Sequence, residues 1–227
     1  MKQKNIFLNT EGNRWYERNR SSLKKRNYDI DLIVNEIIKI DDLLDSKPNQ
    51  LKPKSKKGRI LEVGCGDAER LSYIQNKFDY DCYGIEPSLK AVENGRKLGL
   101  DICHGTADEL AFKDNYFDII IFGFCLYLCD REDLFKIAYE ADKALNRKGF
   151  IIILDFFSED KTSIKPYKHK SGVYTHKMDY SKMFTWNPYY TIFRNQILHH
   201  DNKQISDEKH EWISIFTIRK NDTLIAK

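Results

Sequence analysis

Cysteine and histidine are scarce in this chain of 227 residues. No Cys-x-x-Cys pair occurs among its five cysteines, which are Cys65, Cys82, Cys103, Cys125 and Cys129. The odd count and the spacing predict neither a disulfide framework nor a zinc ribbon, and they fit a reducing cytoplasm. Two of the six histidines, His199 and His200, are adjacent and would point to opposite faces of a strand. We therefore expect no metal site.

Long apolar segments are also missing. The longest apolar run, residues 119–128, is about half of the roughly 20 residues that a membrane-spanning helix needs. The N-terminal residues lead into no stretch of the kind found in signal peptides. These features predict a cytoplasmic protein with no membrane partner.

Apolar and aromatic residues are plentiful enough to build one core. Hydrophobic residues make up 41% of the chain and aromatic residues 13%, which argues against intrinsic disorder. Since a typical domain has about 150 residues, the length predicts one domain with appendages. Nothing in the composition sets the oligomeric state.

Charge is unevenly distributed, although the net charge is only +4. Residues 1–60 contain 15 basic and 8 acidic residues, residues 61–160 contain 11 and 20, and residues 161–203 contain 8 and 2. An acidic centre between basic flanks suits a cationic cofactor and an anionic substrate. A surface of solvated lysines explains the same distribution, so both interpretations stay open.

Hydrophobic periodicity and local composition divide the chain into three parts. Residues 1–46 form a helical cap, because apolar residues recur three and four positions apart. One helix face would carry Ile30, Ile33, Val34, Ile37, Ile38 and Leu44. Residues 47–58 are rich in lysine and proline and predict an exposed linker, and residues 59–227 form the main domain.

Beyond the linker, short strands rich in Ile, Leu and Val alternate with helical segments. The predicted strands are Arg59–Val63, Asp81–Glu86, Asp101–His104, Phe117–Gly123 and Phe150–Phe156. The predicted helices are Ala68–Phe78, Ser88–Leu98 and Arg131–Leu145. This alternation predicts an α/β fold, with a mostly parallel sheet and helices on both faces.

The pattern changes after the fifth strand. Residues 158–188 are basic and aromatic without clear periodicity, and we expect them to form an insertion on the substrate side. Residues 189–200 and 211–220 resemble two strands joined by a polar turn. They predict an antiparallel hairpin at the end of the sheet.

The segment 59–71, RILEVGCGDAERL, has a buried strand, a Gly-x-Gly turn and a helix. Glycines suit a turn in which a ligand approaches the main chain without meeting a Cβ atom. Glu86 ends the next strand, 20 residues beyond Gly66. At that position a carboxylate can accept hydrogen bonds from both hydroxyls of a ribose.

Two classes of nucleotide-like cofactor use such a turn. A dinucleotide fingerprint favours a third glycine at the position of Glu69, where a pyrophosphate lies against the helix. Glu69 is instead bulky and acidic, Asp67 adds a second acid, and Glu62 suits a ligand that carries an ammonium group. A sulfonium amino acid joined to adenosine fits these residues better than NAD.

At these residues the sequence resembles the class I S-adenosylmethionine-dependent methyltransferases. The likeness begins at EVGCGDA and continues through YGIEPS, GTADELAFKDNYFDIII and LNRKGFIIILD, over about residues 58–157. The resemblance implies a Rossmann-like sheet of seven strands with S-adenosylmethionine as the cofactor.

The resemblance also implies which residues bind the cofactor. Gly64, Cys65 and Gly66 would pass under the methionine part, Glu86 would hold the ribose hydroxyls, and Pro87 would lie beside them.

Two further segments complete the implied cofactor site. Thr106, Ala107 and Asp108 would frame the adenine, while Gly123 and Phe124 would line the methyl-donor site. Thr106 stands where the family often has a carboxylate that meets the adenine amino group. Asp108, two positions further on, is a candidate replacement.

The flanks resemble segments of bacterial small-molecule methyltransferases, some of them linked to surface-sugar biosynthesis. Near the start, TEGNRWYERNR contains Trp15 and Arg18, which suit a lid over a cofactor. A helix docked by its tryptophan explains the same residues. The segment 165–182 mixes aromatic and basic residues, so it suits an anionic or sugar-containing acceptor but also an exposed surface loop.

Methyl transfer from a sulfonium is an in-line displacement, so the enzyme has chiefly to align the acceptor and exclude water. A hydroxyl acceptor would also need a general base, and His169 and Tyr127 are the catalytic candidates, with His176 a weaker one. A core role for Tyr127 is an equal alternative.

The sequence thus predicts a small-molecule methyltransferase. An RNA methyltransferase is less favoured, since no RNA-binding module is visible, and a non-catalytic cofactor-binding subunit is the third possibility.

Overall fold

The computed structural model describes residues 2–45, 56–159 and 162–222. Its core is a seven-stranded sheet in the order β3-β2-β1-β4-β5-β9-β8, and β6 and β7 form a separate pair. The nine strands are β1 (Arg59–Val63), β2 (Asp81–Glu86), β3 (Asp101–His104), β4 (Phe117–Gly123), β5 (Leu145–Phe156), β6 (Ser163–Pro166), β7 (Tyr174–Lys177), β8 (Tyr190–His199) and β9 (Trp212–Lys220).

Strand directions confirm the expected mostly parallel sheet with a terminal antiparallel hairpin. Strands β1 to β5 run parallel to one another. Strand β9 runs antiparallel to both β5 and β8, so that Phe156 faces Ile213 and His199 faces Trp212. The carboxyl end of β5 and the turn between β8 and β9 therefore lie at the same edge of the sheet.

Helices cover both faces of this sheet. The cap contains α1 (Gln3–Ile6), a π-helical turn (Phe7–Glu11), α2 (Gly12–Leu23) and α3 (Leu32–Asp45). The other helices are α4 (Glu69–Phe78), α5 (Leu89–Lys97), α6 (Leu134–Ala144) and α7 (Lys182–Thr185). Within the described ranges, no helix is long and apolar enough to cross a membrane.

Alternate residues of the central strands feed two separate cores. In β4, Ile119 and Ile121 pack on one face with helices α3, α4 and α5, whereas Ile120 and Phe122 pack on the other face with α6 and α7. Each of these four side chains is at most 1% exposed. Burial on both sides explains why the strands are continuously apolar instead of alternating.

The predicted apolar face of the cap is only partly correct. Ile33, Val34 and Ile37 are buried, but Ile30 is 73% exposed and Leu44 is 43% exposed. Ile30 lies in a 3-10 turn before α3 begins, so it does not share the phase of that helix.

The insertion has regular structure that the sequence did not predict, because β6 and β7 pair as a short hairpin. Val173 and His176 are buried among mostly exposed neighbours, and Gly172 supplies a positive φ of 80° before β7. Strands of four residues are too short for the alternation of apolar and polar side chains to be recognised.

Of the predicted linker, residues 47–55 lie outside the described residues. Lys57, near its end, donates its backbone N–H to the Asp79 carbonyl at 3.0 Å.

Candidate active site

A cleft opens at the carboxyl ends of β1, β2, β3 and β4, where the sequence places its glycine turn. It consists of a larger and a smaller cavity that adjoin each other. Trp15, Gly64 and Phe124 contribute to the walls of both. A ligand can therefore extend from one cavity into the other past Gly64.

The two glycines of the turn have different roles. Gly64 and Gly66 both have positive φ, at 70° and 57°. A Cβ atom on Gly64 would lie 2.7 Å from the Cβ of Cys125, so only glycine fits there, whereas a Cβ on Gly66 would meet no described atom within 4 Å. Gly66 thus leaves open space beside the main chain. Ala68 completes the turn in the left-handed region before α4.

Glu62 lies in the wall of the smaller cavity and is 1% exposed. One carboxylate oxygen accepts a hydrogen bond from Arg70, which also pairs with Asp31 at 3.2 Å. Burial raises the pKa of Glu62, and Arg70 opposes that shift. The other oxygen, Oε2, has no hydrogen-bond partner among the described residues. An ammonium group in the cavity would satisfy it, which is the role that the sequence predicts for Glu62.

Glu86 lies in the wall of the larger cavity. Its Oε2 accepts the N–H of Gly66 at 2.9 Å, and its Oε1 accepts the N–H of Ser88 at 2.9 Å. Burial raises the pKa of this carboxyl to about 7, although both backbone hydrogen bonds favour the charged form. The side chain is therefore fixed in position, and each oxygen keeps a lone pair for a ligand hydroxyl.

The residues expected around the adenine also line the larger cavity, with Pro87 beside them. The Thr106 hydroxyl donates to Asp108 at 2.7 Å, and Lys4 pairs with the same carboxylate. Burial opposes ionisation of Asp108, but the hydrogen bonds from Lys4 and Thr106 outweigh it and lower its pKa. Ala107 is the apolar member of this wall.

Lys4 belongs to an N-terminal strap, residues 2–15, that closes the larger cavity. Asp130 accepts the backbone N–H groups of Gln3 and Lys4 at 2.9 and 3.1 Å, and Lys2 pairs with Asp133 at 2.5 Å. Gly12 and the half-buried Trp15 reach the cleft from the same segment. The π-helical turn within the strap is a form often found at functional sites.

Arg18 does not line either cavity. Its guanidinium pairs with the buried Glu11 and donates to the Tyr167 hydroxyl at 2.9 Å. This contact joins α2 to the β6–β7 hairpin. Sequence reasoning assigned Arg18 to the cofactor, and the structure instead gives it two protein partners beside the cleft.

The two catalytic candidates also lie outside the cavity walls. Tyr127 packs on Phe156, with ring centroids 5.0 Å apart, and burial raises the pKa of its hydroxyl. His169 is exposed, and its ring contacts Tyr167 at 5.2 Å. Desolvation, Arg18 and Lys168 lower the pKa of His169, which is the direction expected from its cationic neighbours.

Gly123 and Phe124 were expected at the methyl-donor site, and Cys65 was expected under the methionine part of the cofactor. All three line the smaller cavity. Phe124 has a φ of 56°, a conformation that is strained for an aromatic residue and is found most often at functional sites. Its backbone N–H is held by the Leu154 carbonyl at 2.8 Å.

Sequence reasoning missed Lys4, Glu11 and Asp130. Lys4 meets Asp108 across 104 positions, and no local spacing signals such a pairing. Glu11 lies within the TEGNRWYERNR segment, so its position was noted without a role. In the described part of the chain, no group of three or more His, Cys, Asp or Glu side chains is placed to hold a metal.

Comparison with known proteins identifies the domain. Residues 61–153 match the Methyltransf_11 family, whose description is a methyltransferase domain. Phosphoethanolamine N-methyltransferase 3 of Arabidopsis thaliana is 27% identical over 203 residues, which cover 82% of this chain and 39% of that protein. Fatty-acid O-methyltransferase of Mycolicibacterium smegmatis is 29% identical over 102 residues, 43% of this chain and 36% of that protein. The chain spans about two fifths of the length of these relatives.

A solved structure shares the fold over nearly the whole chain. The 1,6-didemethyltoxoflavin-N1-methyltransferase of Burkholderia thailandensis, which binds S-adenosylhomocysteine, superposes with a TM-score of 0.68. The superposition covers 96% of this chain and 89% of that one at 12% identity. Residues 61–153 therefore match a methyltransferase domain, and the chain around them has the Rossmann-like fold of S-adenosylmethionine-dependent methyltransferases, as its motifs implied. The residues fit that cofactor, since Glu62 offers an unpartnered oxygen and Glu86 a fixed carboxylate.

Replacement of Glu86 by alanine tests the ribose contact. Hydrogen bonds to a charged group contribute about 1.5 to 3 kcal/mol, so Glu86→Ala should weaken S-adenosylmethionine binding by roughly tenfold to a hundredfold. Isothermal titration calorimetry measures the change, and Glu93→Ala, an exposed change on α5, is the control. Unchanged affinity in a folded Glu86→Ala protein, or tight NAD binding by the parent, would exclude the assignment.

The raised pKa of Glu86 predicts a pH-dependent affinity. The ionised carboxylate accepts both ribose hydroxyls, whereas the protonated acid offers one donor in place of an acceptor. Because the free site has a pKa of about 7, S-adenosylhomocysteine affinity should fall as the pH is lowered from 8 to 6, by up to roughly tenfold per pH unit. Glu86→Gln should flatten this profile. An equally steep profile in Glu86→Gln would assign the titration to another group.

Proposed function

We propose that this protein transfers a methyl group from S-adenosylmethionine to a small-molecule acceptor by in-line displacement. The arrangement of Glu62 and Glu86 carries this proposal. Glu62 presents an unpartnered oxygen to the smaller cavity, and Glu86 presents a fixed carboxylate to the larger cavity. The two cavities adjoin at Gly64. This arrangement suits a ligand with an ammonium group at one end and a ribose diol further along it.

The contribution of the chain is alignment and exclusion of water. The cofactor supplies an activated methyl group, so a large part of the barrier can be removed by holding the acceptor in line with it. The strap closes the adenine side through Lys4 and Gln3, and Trp15 covers both cavities. Phe124, fixed in a strained conformation, forms the wall at the methyl-donor end.

The acceptor is proposed to be anionic or sugar-containing. The β6–β7 hairpin supports this choice, because Lys165, Lys168, Lys170 and Lys177 lie within 13 residues of the chain. Tyr167 adds an aromatic surface for a ring. Two relatives are named for a phosphorylated amine and for a fatty acid, both anionic compounds, and they act on nitrogen and on oxygen respectively.

Formation of S-adenosylhomocysteine tests the proposal directly. The purified protein is incubated with S-adenosylmethionine and, in separate reactions, with phosphoethanolamine, palmitate and a panel of sugar carboxylates. We expect acceptor-dependent product for at least one anionic compound, and product formation reduced roughly tenfold to a hundredfold with Glu86→Ala at subsaturating cofactor. Cofactor binding without turnover across a broad metabolite panel would instead favour a non-catalytic partner subunit.

An RNA substrate predicts a different result. A protein that neutralises many phosphates loses affinity steeply with salt, with a slope of about 0.9 per phosphate contacted in duplex DNA and somewhat less for single strands. A gel-shift titration of structured RNA at two salt concentrations measures this slope. Submicromolar, steeply salt-dependent binding would replace the small-molecule proposal by an RNA methyltransferase.

His169 is proposed as the general base for a hydroxyl acceptor. The lowered pKa of His169 keeps its imidazole neutral near pH 7, so it can accept a proton. The raised pKa of Tyr127 keeps that hydroxyl protonated, which makes it unsuitable as a base. General-base assistance supplies about 10²- to 10⁴-fold in rate, so His169→Gln should lower kcat by that order with cofactor affinity nearly unchanged. His210→Gln, an exposed histidine change, is the control. A raised KM with kcat retained would make His169 a substrate-binding residue instead.

A further inference from the structure

The turn between β8 and β9 lies beside the methyl-donor end of the cleft. Strand pairing places the end of β8 and the start of β9 next to the end of β5, at the edge where β4 delivers Phe124. The turn begins at His200, whose backbone N–H donates to the Glu211 carbonyl at 2.8 Å. None of the catalytic or cofactor assignments uses this turn.

Four aromatic rings form a continuous cluster between the turn and the cleft. Phe124 contacts Phe156 at a centroid distance of 5.4 Å and His200 at 5.9 Å. Phe156 also contacts His200 and Tyr127, each at 5.0 Å. All four side chains are partly exposed, and Phe124 and Phe156 also pack against the core that α3, α4 and α5 form with the sheet. Since Phe124 lines both cavities, this aromatic surface adjoins the site where the methyl group is expected.

Lys177 brings a positive charge to the same surface. Its Nζ lies 4.8 Å from the centroid of the Phe156 ring and donates to the His210 carbonyl. Partial burial lowers the pKa of this half-buried ammonium. No carboxylate within the described ranges lies at ion-pair distance from it. An ammonium has three N–H donors, and the carbonyl accepts only one of them. Donors therefore remain for a further acceptor.

We infer that Phe124, Phe156, His200 and Lys177 form the acceptor subsite, and that this subsite takes a planar ring bearing a carboxylate. The rings supply a flat apolar surface for stacking, and the ammonium supplies a charge-assisted hydrogen bond to the acid. The inference rests on the proposed methyl transfer and specifies its substrate class.

A cationic acceptor fits this surface less well. Aromatic faces attract cations, but the ammonium of Lys177 already lies over Phe156 and would repel a second positive charge. Lys203, which donates to the His200 carbonyl, adds another positive charge beside the rings, and Asp201, which lies 3.0 Å from the His200 ring nitrogen, offsets one of the two. Charge and shape together therefore favour a flat anion over an amine.

Binding of two matched probes tests the inference without the natural substrate. The full chain, saturated with S-adenosylhomocysteine, is titrated with 2-naphthoate and with 2-naphthamide, which share the ring system and differ in charge. We expect 2-naphthoate to bind about tenfold more tightly, as one charge-assisted hydrogen bond predicts. Lys177→Met should abolish this preference, and Lys177→Arg should retain it.

Two further variants separate the charge from the rings. Lys97→Met removes an exposed charge on α5, away from the hairpin, and should keep the preference, whereas Phe156→Leu should weaken both probes alike. Equal affinity of the parent for both probes, or a preference that survives in Lys177→Met, would overturn the inference.

Affinity for S-adenosylhomocysteine is measured for every variant. A lost preference with normal cofactor affinity counts against the acceptor subsite alone, and absent cofactor binding counts against the proposed function.

Discussion

The buried carboxylate of Glu86 fixes the geometry of the cleft. By accepting the N–H groups of Gly66 and Ser88, it joins the glycine turn to the start of α5 through a single side chain. These two backbone donors would otherwise face a buried region without partners, so the loops on either side depend on the carboxylate. The same side chain is the group that a ribose would contact. Its burial, which raises its pKa to about 7, follows directly from this central position.

Internal ion pairs account for part of the uneven charge distribution. Lys2 and Lys4 in the basic N-terminal flank pair with Asp133 and Asp108 of the acidic centre. These contacts hold the strap over the larger cavity, and burial of the carboxylates makes them stronger than exposed surface pairs. The basic flank therefore has a structural role that neither of the two interpretations of the sequence included. The hairpin lysines are different, because several of them have no acidic partner in the described part of the chain.

Features that depend on neighbouring residues were predictable from the sequence, whereas features that depend on contacts between distant residues were not. The first four strands of the sheet match their predicted bounds, since each contains a short apolar stretch and ends at, or just before, a glycine or an acidic residue. The glycine turn and Glu86 were predictable for the same reason, because each lies at a strand end. The strap contacts were not, since Lys4 and Asp108 are 104 positions apart. The role inferred for Lys177 was equally inaccessible, because it depends on a turn that only the strand pairing brings near.

The strap and the hairpin are linked, so the two halves of the cleft are not independent. Gln3 exchanges hydrogen bonds with the backbone of Tyr174, and Arg18 reaches Tyr167 from α2. The strap that covers the adenine side thus also holds the hairpin that carries Lys177. Any movement of the strap would therefore also disturb the hairpin beside the aromatic surface of Phe124 and Phe156, so the cofactor side and the proposed acceptor side of the cleft are coupled through these contacts.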